Sequence, residues 1–151
     1  MPGSYQVTVV GIPTESYLKS ARLGGQDVLN DGLNLDRDPE NPLEIVVSSH
    51  AGRIDGNVLD KDGRTVQMAA VTLLPRDRDR HDLYHMTDTD GRGIFNFQGL
   101  APGEYKLFAW IEFERGAQFD PDFMLKYEDL GTVVRITEAS AEKVVLRVRE
   151  P

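Results

Sequence analysis

The stretch TDTDGRGIFNFQGLAPGEY, residues 87–105, decides the fold of this chain. Asp90-Gly91 marks a tight hairpin, because glycine accepts a positive φ and an aspartate side chain caps the turn. Phe95 and Phe97 follow on one strand and point to the same face, since successive side chains of a strand alternate. Tyr105 begins another strand after a Pro-Gly turn. The stretch therefore predicts two strands that meet at a core.

Short apolar runs bounded by turn residues recur along the chain. Seven of them lie between about 54 and 149, at 54–59, 70–74, 83–86, 94–97, 105–111, 132–137 and 144–148. Runs of this length and spacing are typical of an antiparallel β-sandwich. We therefore predict an all-β fold, a seven-stranded antiparallel Ig-like β-sandwich.

One segment predicts a helix. Asp120 suits the N-cap, Pro121 suits the first helical position, and the pattern extends to Glu128. This helix would lie inside an excursion, residues 113–130, between two strands.

Composition and charge restrict the partners of the chain. It has 151 residues, a net charge of −8 and no cysteine. Nucleic acid and anionic membranes attract basic patches, so neither is an expected partner. Without cysteine there is no disulfide, thiolate metal site or cysteine nucleophile. No run approaches the roughly 20 apolar residues of a membrane-spanning helix, so we expect no direct membrane insertion.

A motif at the start of the chain returns a hundred residues later. Pro2-Gly3-Ser4-Tyr5 has the pattern of Pro102-Gly103-Glu104-Tyr105. The apolar run 43–47 also precedes residue 51 by about the distance at which 143–147 precedes the chain end. We therefore predict two units. Residues 1–50 form the C-terminal half of a preceding β-sandwich repeat, and residues 51–151 form a complete domain.

The half unit has apolar strands that need cover. The runs 5–10 and 43–47 would invite edge-to-edge association if they were left open. We expect residues 1–50 to form a small sheet of their own. This sheet would pack on the 51–151 domain or on a second copy of the chain, which makes self-association through residues 1–50 an expectation.

The order of these motifs resembles the carboxypeptidase regulatory-like domain over about residues 52–149, most specifically from Thr87 to Tyr105. The resemblance implies a prealbumin-like β-sandwich. Members of this family are mostly non-catalytic spacers or binding modules. The resemblance therefore implies an accessory module, a spacer or interaction domain, of a multidomain extracytoplasmic bacterial protein that is secreted, periplasmic or associated with the outer membrane. A polysaccharide or another protein domain would be its partner.

Two Asp-x-Asp-Gly segments have the pattern that opens an EF-hand loop. In the segment that begins at Asp88, the twelfth position, where a glutamate is expected, is Gly99. The segment that begins at Asp60 repeats the pattern, which suits a hairpin turn that occurs twice in the chain. We therefore predict turns here, with no metal site and no cofactor.

Catalysis has few candidate residues. His50, His81 and His85 are the only histidines. His81 and His85 lie beside a strand, where positions i and i+4 are about 13 Å apart. We expect both to be mostly exposed and predict no catalytic residue and no enzyme.

Aromatic residues are the best candidates for ligand binding. Phe108 and Trp110 share one face of their strand, and Tyr105 lies on the other. If the face of Phe108 and Trp110 is open to solvent, these rings could stack on a sugar. The candidate ligand-binding residues are then Phe108, Trp110, Phe119, Phe123 and Tyr127. If the excursion folds back instead, it buries these rings as a satellite core, and the clustering of aromatics favours burial. A carbohydrate-binding module around Trp110 is the alternative function, and the exposure of Trp110 distinguishes the two.

Overall fold

The computed structural model describes residues 3–5, 9–35 and 42–149. The strands are β1 Gly3–Tyr5, β2 Tyr17–Leu23, β3 Gln26–Asp27, β4 Leu33–Leu35, β5 Leu43–Ser48, β6 Gly52–Leu59, β7 Ala70–Pro75, β8 His85–Asp88, β9 Ile94–Leu100, β10 Gly103–Trp110, β11 Thr132–Ile136 and β12 Ala141–Arg149. The α-helices are α1 Val28–Asp31 and α2 Pro121–Leu125, and short 3-10 helices span His81–Leu83, Ala117–Phe119 and Glu128–Leu130. Within the described ranges, no helix is long and apolar enough to cross a membrane.

Strands β6 to β12 form the predicted seven-stranded β-sandwich. Their hydrogen-bonded order is β8-β7-β10-β12-β6-β9, and β11 also pairs with β10. One layer is β9-β6-β12 and the other is β8-β7-β10-β11. The end of β12 joins the layers, because Ala109 and Trp110 of β10 pair with its last residues.

Each of the seven apolar runs identified in the sequence lies within or overlaps one of these strands. Four of the pairings are antiparallel, as expected. The two pairings of β12, with β6 and with β10, are parallel. A parallel pair needs a long connection rather than a hairpin, and local sequence patterns do not reveal which distant strand will pair with β12.

The core lies between the two layers. Its buried residues are Ile54, Val58, Ala69, Val71, Leu73, Phe95, Phe97, Leu100, Tyr105, Leu107, Ala109, Val134, Ile136 and Leu146. Phe95 and Phe97 share the inward face of β9, as the alternation predicts, with ring centroids 5.8 Å apart. Burial of a large apolar side chain is worth about 1.5–3 kcal/mol, so this cluster is the main source of stability.

Both Asp-x-Asp-Gly segments are turns, as predicted. The turn at Asp90 is not a hairpin, however, because β8 pairs with β7 and β9 pairs with β6 in the other layer, and the positive φ falls on Gly93 rather than on Gly91. The Oδ1 atom of Asp90 accepts hydrogen bonds from the backbone N–H groups of Arg92 and Ile94, at 2.8 and 3.0 Å. Asp60 caps its own turn in the same way. These backbone hydrogen bonds hold the pKa of both carboxyl groups below its usual value.

The Pro-Gly turn before β10 is held by the tyrosine that follows it. The Tyr105 hydroxyl donates a 2.7 Å hydrogen bond to the backbone carbonyl of Ala101. Burial raises the pKa of this hydroxyl, so it stays a donor. The PGxY motif thus fixes the entry of β10 into the core.

The segment before residue 51 forms sheets of its own. Strands β3, β2 and β5 make a three-stranded sheet, and β1 pairs with β4. This agrees with the expected small sheet. Pro2 of the repeated motif, and residues 6–8 of the apolar run predicted over 5–10, lie outside the described residues.

Candidate functional site

The predicted ligand-binding aromatics lie on the outer side of the β7-β10 layer. Trp110 has an exposed fraction of 0% and Phe108 of 2%. The Trp110 ring centroid lies 5.0 Å from that of Phe113, 5.6 Å from that of Phe123 and 5.0 Å from that of Tyr127. The excursion therefore covers Trp110, which confirms the expectation of burial by residues 113–130.

The polar group of Trp110 is also occupied. Its Nε1–H donates a 3.0 Å hydrogen bond to Oγ1 of Thr72, which is itself fully buried. A buried indole needs such a partner, because an unpaired N–H would cost the free energy of its lost hydration. In this conformation neither Phe108 nor Trp110 offers a face to a sugar, so a stacking platform cannot rest on them.

The excursion folds back because of its helical start. The Asp120 side chain accepts a hydrogen bond from the backbone N–H of Asp122, and Pro121 takes the first helical position, as predicted. Helix α2 directs Met124 into the aromatic cluster, where it is 2% exposed. The helix ends at Leu125, earlier than the predicted 128, and a 3-10 turn follows.

A group of ion pairs holds the C-terminal end of the excursion against the sandwich. Arg78 makes two hydrogen bonds to the Glu128 carboxylate, at 2.6 and 3.1 Å. Lys106 adds a 3.2 Å contact to the same carboxylate and a 2.8 Å hydrogen bond to the Glu128 carbonyl. Sequence reasoning missed this group, because Arg78 lies in a stretch of alternating charges that reads as a solvated loop.

One part of the aromatic set stays open. Phe119 is 44% exposed, and its ring centroid lies 4.6 Å from that of Tyr84 and 5.2 Å from that of His81. These three rings form the accessible end of the cluster. Of the five predicted ligand-binding residues, Phe119 is the most exposed, while Phe123 and Tyr127 are half-buried.

The two strand-flanking histidines differ in their exposure. His81 is exposed, as expected. The same expectation for His85 is wrong, because His85 is half-buried and packs edge-on against Phe97, with ring centroids 6.2 Å apart. Side chains of β8 alternate between the sandwich core and the aromatic cluster, and His85 faces the core side. Burial lowers the pKa of His85.

A cleft of about 630 Å³ lies between residues 9–18 and the open side of the sandwich. Tyr17, Asp82, His85, Asn96 and Gln98 line it, with apolar neighbours. The carboxylate of Asp82 already has a partner, because the Arg80 guanidinium donates two hydrogen bonds of 2.9 Å to it. Among the described residues, every buried polar side-chain atom has a partner, so the cleft presents no buried orphan group to a ligand.

The segment before residue 51 is attached to the sandwich beside this cleft. The Tyr17 hydroxyl donates a 2.9 Å hydrogen bond to Oε1 of Glu138, and the Lys19 ammonium lies 3.7 Å from the same atom. Burial, and then the hydrogen bond to Glu138, raise the pKa of Tyr17. Only residues 49–51 connect β5 to β6. The junction is therefore short and held on its other side by a buried tyrosine.

Gly99 permits the close approach at this junction. Its φ is +68°, and a Cβ at this position would lie 2.9 Å from the carbonyl oxygen of Thr14 and 3.0 Å from that of Ser16. Only glycine suits both the backbone conformation and the contact. The chain before β2 thus lies against β9 at Gly99.

Comparisons with solved structures find remote similarities. One is the major pilin subunit BcpA of Bacillus cereus, at 12% identity over 70% of this chain and 31% of that chain, with a TM-score of 0.45. Another is a candidate carbohydrate-binding protein from Pseudomonas aeruginosa, at 15% identity over 65% and 88%, with a TM-score of 0.44. A third is 5-hydroxyisourate hydrolase of Klebsiella pneumoniae, at 14% identity over 66% and 87%, with a TM-score of 0.38. The chain spans less than a third of the length of the pilin subunit.

A comparison with curated protein sequences finds no match. The family profile of the carboxypeptidase regulatory-like domain matches residues 53–121. The match begins in β6, includes β7 to β10 and ends at the first residue of α2, so it contains the Asp-x-Asp-Gly turns and the PGxY motif described above. Residues 53–121 are therefore similar to the carboxypeptidase regulatory-like domain, the family that the sequence motifs resemble.

Proposed function

We propose that this chain is a non-catalytic β-sandwich accessory module that acts as a spacer or interaction domain in a multidomain extracytoplasmic protein. The junction between residues 9–50 and the sandwich carries the proposal. A three-residue connection and the Tyr17–Glu138 hydrogen bond hold the two parts on both sides of the contact. A spacer needs such a junction, because it must hold one unit in a fixed position relative to the next.

The division into a half unit, residues 1–50, and a complete domain, residues 51–151, is part of this proposal. The pairing of β1 with β4 supports it. Gly3 lies opposite Leu35 in that antiparallel pair, as Gly103 lies opposite Ile136 in the pair of β10 and β11. The glycine of each PGxY motif thus begins a strand that pairs with a strand about thirty residues later.

The extracytoplasmic location and the larger parent protein rest on the family. Carboxypeptidase regulatory-like domains are mostly parts of larger secreted or outer-membrane proteins. A polysaccharide or a neighbouring protein domain is the partner that this setting favours, and the net charge of −8 supports neither nucleic acid nor an anionic membrane surface.

Backbone ¹⁵N relaxation of the full chain tests the spacer role. We expect the amides of β2 and of β6 to report one rotational correlation time, because the junction couples both parts. Glu138→Ala removes the acceptor of the Tyr17 hydroxyl and the partner of Lys19. In this variant we expect the correlation time of β2 to become shorter than that of β6.

Glu114→Ala is the matched control. Glu114 is an exposed glutamate for which the described structure gives no side-chain partner, so this change should leave both correlation times equal. Two separate correlation times in the unmodified chain would contradict a rigid spacer.

Carbohydrate binding is the second candidate function, and the exposed rings of Phe119 and His81, which pack against the half-buried Tyr84, are the observation that favours it. Exposed aromatic rings can stack on the apolar face of a sugar. On a glycan array, this function predicts signals that Phe119→Ala abolishes and Leu125→Ala, a change at another exposed apolar residue of the excursion, leaves intact. An array without any signal would rule against it.

A further inference from the structure

Strand β5 exposes an unusual amount of apolar surface. Its residues Leu43, Ile45, Val46 and Val47 are 40%, 42%, 47% and 42% exposed. They point to both faces of the strand, so neither face is fully covered. In a protein of this size, contiguous exposed apolar side chains usually mark an interaction surface.

The backbone of β5 is open as well. In the described part of the chain β5 pairs with β2 alone, at one end of the order β3-β2-β5. Edge strands are normally short, charged with lysine, interrupted or covered. The edge strand β8 has only four residues, and the chain around Thr14 lies against the end of β9 at Gly99. The six residues of β5 contain neither lysine nor proline.

One face of β5 continues a core that is only half closed. Ala21 and Val28 are 0% and 1% exposed, because α1 covers β2. In register with β2, Ile45 lies opposite Ala21, and Leu43 lies opposite Leu23. Ile45 and Leu43 nevertheless stay exposed, since α1 does not extend over β5. A further strand beside β5 would extend the sheet and pack its own side chains beside Ile45 and Leu43 on this face.

The charge distribution indicates which strand would do so. Glu44 is the only charged residue of β5, and Arg22 of β2 lies opposite it in register. The edge is therefore close to neutral in a chain with a net charge of −8. Two copies of the chain repel each other over most of their surface, but this repulsion is least where the two β5 edges meet.

We propose that a second copy of the chain docks on this edge, with the two β5 strands antiparallel around a two-fold axis. The inference rests on the proposed role as an interaction module and specifies its surface. With the axis at Val46, Glu44 of one copy lies opposite Ser48 of the other and Ile45 lies opposite Val47, so no two carboxylates meet. The two three-stranded sheets become one six-stranded sheet, and the half-closed cores become continuous.

The association should be weak. A pair of strands six residues long buries less surface area than a standard protein interface, which buries at least roughly 1,200 Å². Since its stability comes from backbone hydrogen bonds and apolar contacts, added salt should strengthen it by screening the repulsion between the acidic copies. Monomers and dimers should therefore exchange over an accessible concentration range.

Sedimentation velocity over a concentration series tests the proposal. We expect the weight-average sedimentation coefficient of the unmodified chain to rise from the monomer value toward the dimer value. Val46→Lys places a charge on the exposed face near the axis and should keep the chain monomeric throughout. Val145→Lys is the matched control, because Val145 is 57% exposed in β12, away from this edge, and it should associate like the unmodified chain.

Hydrogen exchange of the unmodified chain gives a reading that does not depend on a variant. Amides of residues 43–48 that are not bonded to β2 should become protected as concentration rises, and those of β8 should not change. An unmodified chain that stays monomeric, or a Val46→Lys chain that associates equally well, overturns the proposal. A monomer whose junction remains rigid by ¹⁵N relaxation leaves the spacer role standing, so the two failures are distinguishable.

Discussion

Trp110→Ala should reduce the free energy of unfolding by about 3–5 kcal/mol, the range for deletion of a large buried aromatic ring. Trp110 is fully buried and packs against rings from β10 and from the excursion. Its loss leaves a cavity and deprives Thr72 of its hydrogen-bond donor. Urea unfolding followed by far-UV circular dichroism measures the change, because the variant has no tryptophan to report by fluorescence.

Phe119→Ala is the control for this prediction. Its ring is 44% exposed, so truncation should cost about 1 kcal/mol or less, well below the cost of deleting a fully buried ring. Equal losses for the two variants would show that Trp110 does not hold the excursion on the sandwich. Unchanged stability of Trp110→Ala would contradict the buried aromatic cluster outright.

The burial of Trp110 could be predicted from the sequence because the signals are local. Alternation along the strand places Phe108 and Trp110 on one face, and Asp120-Pro121 starts the helix that returns the excursion to that face. The turn at Asp90 and the position of Phe95 in the core are local in the same sense. Such features follow from the period of a strand and the chemistry of a turn.

Other features depend on contacts between distant residues and could not be read from the sequence. The parallel pairs of β12 join residues far apart in the chain. His85 is half-buried because β8 places it against Phe97, a contact that no local pattern reveals. The hydrogen bond between Tyr17 and Glu138 joins residues 121 positions apart. The sequence predicted the apolar run of β5 and self-association through residues 1–50, but it did not reveal that β5 lies at the edge of its sheet.

Removing residues 1–50 should leave a folded domain. Every residue of the main core and of the aromatic cluster lies at position 54 or later. The truncated chain loses the hydrogen bond to Glu138 and the contact of residues 14–16 with Gly99 of β9. A few partly exposed hydrogen bonds are worth about 0.5–1.5 kcal/mol each, so we expect a lower melting temperature with cooperativity preserved.

The fluorescence of Trp110 provides a control for this truncation. Trp110 is the only tryptophan and lies in the retained part, so its emission maximum should be the same in the truncated and full-length chains. A red-shifted maximum would show that the aromatic cluster opens when residues 1–50 are removed.

Thermal unfolding of residues 51–151 tests most directly the claim that this chain is a complete β-sandwich domain with a separate unit docked on it. We predict a single cooperative transition, seen at the same temperature by circular dichroism and by tryptophan fluorescence. A truncated chain that shows no transition, or that unfolds gradually, would contradict the claim, because the first fifty residues would then be an integral part of one domain.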